Sequence, residues 1–173
     1  MNLYLRLLWL HARWRFRSHL SIWDVGVTPF RVWPSDLDLL GHMNNSKYLA
    51  IMDLARTDLM FRSGAAQLVK DAGWYPVAAG VTIAYFASLN PWQAFDVHTS
   101  ILGLDDRWTF VEQKFIRDGK VCARAVVRTR FLKRSGGSVD HDELEKVFHD
   151  APGEHHIPEW LREWSANSKP EKP

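Results

Sequence analysis

An α+β domain, in which one long helix precedes a run of antiparallel strands, is what the sequence predicts, on three observations. Tyr48, Met52, Ala55 and Leu59 follow one another at steps of four, three and four, which aligns them on one helical face. Downstream of residue 77 the period falls to two, the spacing of side chains on a pleated strand. Asp118-Gly119 then stands between two such runs, and a two-residue hairpin needs residues that accept positive φ at both positions. A helix followed by locally connected strands is the α+β pattern.

The elements follow in order. Leu3, Leu7, Leu10 and Trp14 recur at helical spacing, with Arg6, Arg13 and Arg17 on another face. The longest apolar run, Leu7–Leu10, is far short of the roughly 20 residues that span a bilayer, and no small-residue cleavage site follows it. Residues 1–20 are therefore set apart as an amphipathic segment. Two uses stand open: packing on its own domain or a partner subunit, or peripheral membrane contact through residues 1–17 on anionic lipid.

The first strand, Val25–Trp33, contains Pro29, which cannot donate to a ladder and so marks an edge or a bulge. Pro34-Ser35 leads into a loop, and Asn44 or Asn45 is the N-cap type at which the helix begins. Gly64 is its stop. About 18 residues at 1.5 Å each make a helix of roughly 27 Å, long enough to cross a sheet. Residues 77–87 alternate large and small side chains, as a strand pressed against another element requires. Asn90-Pro91 breaks it. Phe95, Val97, Thr99 and Ile101 share one side of the next strand, Trp108–Arg117 form another, and Lys120–Lys133 form the last. There Val121, Ala123, Ala125 and Val127 are expected on one face, with Arg124, Arg128 and Arg130 opposite. That second face is either half-solvated or able to offer a guanidinium fork to coenzyme A phosphates. Asp140-His-Asp-Glu143 reads as a capping box for a short helix to Phe148, and Pro158–Trp164 as a second short helix. Ser168–Pro173 is expected to be disordered. The organisation is thus residues 1–20, a central domain at 21–150, and an extension at 151–173.

With 173 residues, 46% of them hydrophobic and 24% charged, the chain can bury a core without disulfide or metal support. A net charge of +2, with no zinc-finger spacing and no Lys/Arg-rich run, gives no support to nucleic-acid binding. The single cysteine, Cys122, forms no internal disulfide, which fits a reducing compartment such as the cytoplasm. Its neighbours Val121, Ala123 and Ala125 suggest an inert thiol in a strand interior. His98 and His155-His156 lack partners at metal-ligand spacing, so no metal site is expected.

The chemistry lies in Asp38-Leu-Leu-Gly-His42-Met-Asn-Asn45-Ser-Lys-Tyr48. A carboxylate and an imidazole precede a helix start, whose open backbone N–H groups and partial positive charge suit a developing oxyanion. Hydrolysis of an activated acyl group asks for a nucleophile or general base and such a site. Asp38 is the candidate carboxylate, with Asp36 its near rival and Asp53, which can pair with Arg56 at i,i+3, in reserve. His42 is read either as orienting water and protonating the leaving thiolate, or as structural. Gly41 permits a tight turn, Asn44 sits at the helix start, and Tyr48 is core or pocket wall one turn in.

Residues Pro34 to Asn45 of this motif resemble the opening of the hotdog-fold acyl-CoA thioesterases of the 4-hydroxybenzoyl-CoA thioesterase-like group. Leu102–Arg107 with Asp118–Ala123 are similar to the branch of thioesterase superfamily member 6. The resemblance covers about residues 25–134. It implies a curved antiparallel sheet wrapped round the helix, hydrolysis of acyl-CoA to acid and CoA without a cofactor, and Asp38 as the catalytic acid. It also implies that the backbone N–H near Asn45 receives the thioester oxygen, that Gly41, His42, Asn44 and Tyr48 contact substrate, and that acyl-CoA lies between the subunits of a homodimer or homotetramer. Two other functions stand beside it: a non-catalytic acyl-CoA binder or membrane-associated scaffold, and a hotdog hydratase or dehydratase, although Asp38 and His42 are separated by Leu-Leu-Gly without the Asn-Pro that resembles a hydratase motif.

Overall fold

The computed structural model describes residues 3–14, 16–105, 107–148 and 157–168. The long helix, α2, is preceded by α1 (Leu3–Trp14) and β1 (Gly26–Arg31) and runs Asn45–Arg62, the 18 residues that the spacing requires. Tyr48, Met52, Ala55 and Leu59 are all buried. The Asn44 side chain accepts from the Ser46 N–H and caps the start, and Gly64 takes φ +74° beyond the end, where a side chain would be strained. A short helix the spacing did not predict, α3 (Ala65–Asp71), follows at once. Two turns are too short to carry a periodic signal.

Strands β2 (Trp74–Tyr85), β3 (Ala94–Leu104), β4 (Thr109–Arg117) and β5 (Lys120–Lys133) complete an antiparallel sheet in the order β1-β3-β4-β5-β2. Pro29 lies on an edge, since β1 pairs only with β3. Asp118 and Gly119 hold φ of 51° and 75°, the turn expected between β4 and β5. A bulge between Phe115 and Ile116 shifts the pairing next to this turn, and with it one predicted side chain: Val121 is exposed, while Cys122 is buried and free. Ala123, Ala125 and Val127 do join the core beneath α2.

The other sheet face is covered at Arg128, while Arg124 is exposed and Arg130 half-buried, so the half-solvated reading holds for these two and the phosphate reading is corrected at Arg128 alone. Helix α5 (Glu159–Asn167) lies on it, and Leu161 packs with Phe110, Val126 and Ile157. Arg128, 3% exposed, lies 4.6 Å from the Trp108 ring centroid and 5.4 Å from that of Trp164. Its Nη1 donates to the Ser165 carbonyl at 2.6 Å, at the helix end where the backbone dipole favours a cation. Arg124 pairs with Glu112 at 2.6 Å and Arg130 faces the Trp108 ring. Arg128 is thus a docking post for α5, not a phosphate ligand. Helix α4 (His141–Val147) has the predicted capping box between Asp140 and Glu143.

Helix α1 follows the expected faces only in part, with Leu10 buried as expected but Arg6 buried beside it and Leu7 exposed. Arg6 and Leu10 are buried, while Tyr4, Leu5, Leu8 and Trp9 are exposed. Arg6 is held inside by an ion pair with Asp36 and by the Arg31 carbonyl at 3.2 Å. Arg17, at the start of the connection to β1, meets Asp58 of α2 at 2.5 Å. The side chains of Leu3, Arg13 and Trp14, called for the two faces of this helix, and His155-His156 lie outside what is described, as do residues 169–173 of the expected tail. Among the described residues no helix is long and apolar enough to cross a membrane.

Candidate functional site

The loop from Trp33 to Asn44 is organised by its two aspartates, which do different work. Asp36 closes a turn of 3-10 helix (Pro34–Asp36) and is fully buried, its carboxylate paired with Arg6 and accepting the Trp33 N–H at 2.9 Å. Its carbonyl accepts the Asn44 N–H at 2.8 Å, which seats the helix start against the loop. A carboxylate sealed in this way supports the loop and is out of reach of a thioester.

Asp38, two residues on, is half-buried. Its backbone N–H donates to the His42 carbonyl at 2.9 Å, and Gly41 returns a hydrogen bond to the Asp38 carbonyl at 3.1 Å, with φ +78° at Gly41 closing the turn. One carboxylate oxygen, Oδ1, accepts from the N–H of Leu40 at 2.9 Å and of His42 at 3.3 Å. The other oxygen has no protein partner among the described residues. Backbone donors therefore fix the direction of the carboxylate and leave one oxygen unoccupied. Leu39 and Leu40, beside it, are wide open to solvent, an apolar pair that their place in a loop gave no reason to expect outside.

Helix α2 begins at Asn45, seven residues after Asp38. Asn44 spends its side chain on the Ser46 N–H and hydroxyl, at 2.9 and 2.7 Å, and its carbonyl on the Lys47 N–H. Nothing among the described residues accepts from the Asn45 N–H, and the Asn45 side chain is exposed. His42 is half-buried. Tyr48, a candidate pocket wall, is 2% exposed and packs edge-on to Tyr85 with ring centroids 4.9 Å apart, and against Phe115 at the same separation. Burial pushes its phenol up to about 12, with the Cys122 thiol and Tyr85 acting in the same direction. In this protomer Tyr48 is core.

A second feature lies at the far end of α2, where sequence reasoning placed only the reserve acid Asp53 with Arg56. Between α2, α3, α4 and the sheet is a cavity of about 590 Å³, whose walls include Trp23, Met60, Val69, Trp74, Phe131 and Phe148. Asp53, Arg56 and Thr57 stand on its α2 side. Asp53, 69% exposed, pairs with Arg56, and Arg56 also donates to Gln113 Oε1 at 2.6 Å. Burial draws the Arg56 guanidinium below its usual value, against the pull of Asp53. No part of the Asp38 loop lines this cavity. A hollow made by eight separate segments has no signature in any one of them.

Comparison with known proteins agrees with this architecture. The family model of the thioesterase-like superfamily matches residues 32–165. Protein THEM6 of Xenopus laevis is 35% identical over 133 residues, 76% of this chain, which spans 64% of the frog protein, a little under two thirds. Among solved structures, YbaW, a probable thioesterase from Escherichia coli, superposes with a TM-score of 0.67 at 20% identity, covering 70% of this chain and 94% of that one. Slr0204 of Synechocystis, a 1,4-dihydroxy-2-naphthoyl-CoA thioesterase, gives 0.62 at 11% identity, covering 73% and 97%. The chain belongs to the thioesterase-like superfamily and has the hotdog fold.

Proposed function

We propose that this protein hydrolyses an acyl-CoA thioester to the free acid and CoA, with Asp38 as the acid that acts on the carbonyl. The observation that carries the reading is a carboxylate aimed by two backbone N–H groups, with one oxygen unoccupied, in the loop that ends at the open Asn45 N–H. The free oxygen either attacks the thioester carbon or removes a proton from the water that does so. In the first case a mixed anhydride forms, the C–S bond breaks and CoA leaves as thiolate; water then cleaves the anhydride and restores the carboxylate. His42 supplies the proton to sulfur. The Asn45 N–H receives the oxyanion, so its side chain is dispensable.

The reading includes a homodimer. Strand β2 is an unpaired edge, with Tyr75, Val81 and Tyr85 exposed. An antiparallel two-fold pairing centred near residue 80 would set the Tyr85 end of one β2 beside the Trp74 end of the other. That brings the motif end of one protomer to the cavity end of its partner. Gly41, His42 and Asn44 then frame the substrate, and the exposed Leu39-Leu40 pair is covered.

Free-thiol release from a panel of acyl-CoAs, wild type against Asp38→Asn, tests the reading. Loss of release in the variant supports it, and equal rates remove Asp38 from the reaction. Asp53 favours a second assignment, since it alone of the candidate acids stands at the cavity; Asp53→Asn losing activity while Asp38→Asn keeps it would select that residue. No release from any thioester would favour a binder.

A further inference from the structure

We infer that Arg6 of α1 is a positioning residue for the proposed hydrolysis: through Asp36 it holds the Asp38 carboxylate and the Asn45 N–H in one frame. Among the described side chains of α1 only Arg6 and Leu10 are buried, while Leu5, Leu7 and Leu8 are exposed. A helix docked for packing alone turns its leucines inward. A buried ion pair is often no more stabilising than an apolar pair of the same volume, because both charges lose their water; what it fixes is geometry. The helix has therefore been set down with its arginine, and not its leucines, toward the motif loop.

Several bonds converge on Asp36. Its Oδ2 takes the Arg6 guanidinium and, at 2.9 Å, the Trp33 N–H, while Oδ1 has no partner among the described residues. Its carbonyl accepts the Asn44 N–H at 2.8 Å, one residue ahead of the Asn45 N–H that opens α2. On the other arm of the loop Leu37 bridges to Met43, and the Asp38 N–H donates to the His42 carbonyl at 2.9 Å. Asp36 is thus the root from which both arms hang, the one that carries Asp38 and the one that starts the helix. Arg6 Nη2 ties this root to the end of β1 as well, through the Arg31 carbonyl at 3.2 Å. Without the guanidinium the buried carboxylate keeps a single backbone donor and turns toward water, and the two arms turn with it. Arg6 stands outside residues 32–165, the span that the family model matches, so this support reaches the loop from beyond the matched domain.

This inference rests on the hydrolase reading for its kinetic readout and is separable from it by hydrogen exchange. For the whole chain, kcat and KM per folded molecule are measured on an acyl-CoA that the wild type cleaves. The variants are Arg6→Met, Arg6→Lys, and Arg6→Met combined with Asp36→Asn, which removes both charges together should the single variant fail to fold. Exchange of the Asn44 and His42 amides, one bonded to the Asp36 carbonyl and the other to Asp38 Oδ1, is followed by NMR in the same proteins. Leu161→Ala, weakened beneath α5, is the control for lost stability alone. In Arg6→Met, kcat is expected to fall about tenfold or more with KM close to wild type, and both amides to exchange faster. Arg6→Lys should recover most of the rate, because one nitrogen, Nη2, makes both contacts and an ammonium can stand in its place. An unchanged kcat in either folded variant that lacks Arg6, a loss confined to KM, or an equal loss in Leu161→Ala overturns the inference. If no thioester is hydrolysed, the hydrolase reading fails alone and exchange decides. Faster exchange at Asn44 and His42 in the variants lacking Arg6, and not in Leu161→Ala, supports the positioning role; exchange equal to wild type refutes it.

Discussion

Asp36 and Asp38 are two positions apart and chemically opposite, and the difference is burial. Asp36 is sealed with Arg6, so Asp36→Asn leaves a buried guanidinium without its counter-charge and is expected to cost about 3 kcal/mol, read by urea denaturation. Asp38→Asn keeps an oxygen to accept from the Leu40 N–H, so its melting point should stay close to wild type while thiol release falls about a hundredfold or more. The two variants together separate a fault in folding from a fault in chemistry. Tyr48 makes a prediction of its own. Its folded-state value of about 12 lies above the ordinary 10, so between these the unfolded chain gives up its proton first and stability falls as pH rises. Tyr48→Phe should flatten that alkaline limb in pH-dependent unfolding.

At the scale of elements, the sheet is dressed on both faces, and the second dressing is what the arginines of β5 serve. Leu161 is fully buried among Phe110, Val126 and Ile157, so Leu161→Ala should lower stability by about 3 kcal/mol without changing the rate per folded molecule. Gly80 belongs to the same arrangement. A Cβ there would stand 3.4 Å from Arg128 and 3.5 Å from Trp164, ordinary van der Waals contact, so α5 comes close to β2 at this point without requiring glycine. The alternation of large and small side chains did not foretell a close neighbour along the whole strand, since Ala78, Ala79 and Ala84 are exposed. Helix α1 makes a related point. Its leucines and arginines were legible as two faces, yet the helix packs with Arg6 inward because Asp36 is buried opposite. Periodicity reports that a helix has two faces and is silent on which one a buried charge will claim.

For the whole molecule the open edge of β2 decides whether the site is complete. If two protomers pair there, Val81→Lys should place a charge in the junction and shift the sedimentation of the protein toward monomer, with thiol release falling in parallel. A variant that sediments as wild type would put the contact elsewhere. The comparison of fold and family bears on the same scale, since the match from residue 32 to 165 takes in strands β2 to β5 and most of α5. Residues 159–165 of the C-terminal helix are therefore within the matched span.

Local chemistry was enough to determine the order of elements other than α3, the caps of α2 and α4, the hairpin at Asp118-Gly119 and the position of Asp38 ahead of a helix. Each of these is settled by neighbours within a few residues, through φ preference, capping or side-chain period. Only the tertiary structure decided that Asp36 is sealed and Asp38 open, that Arg128 holds α5, that Tyr48 is core, and that the far end of α2 is hollow. Those outcomes depend on which distant surfaces meet, and the free energy of burial is a property of the contact and not of the residue.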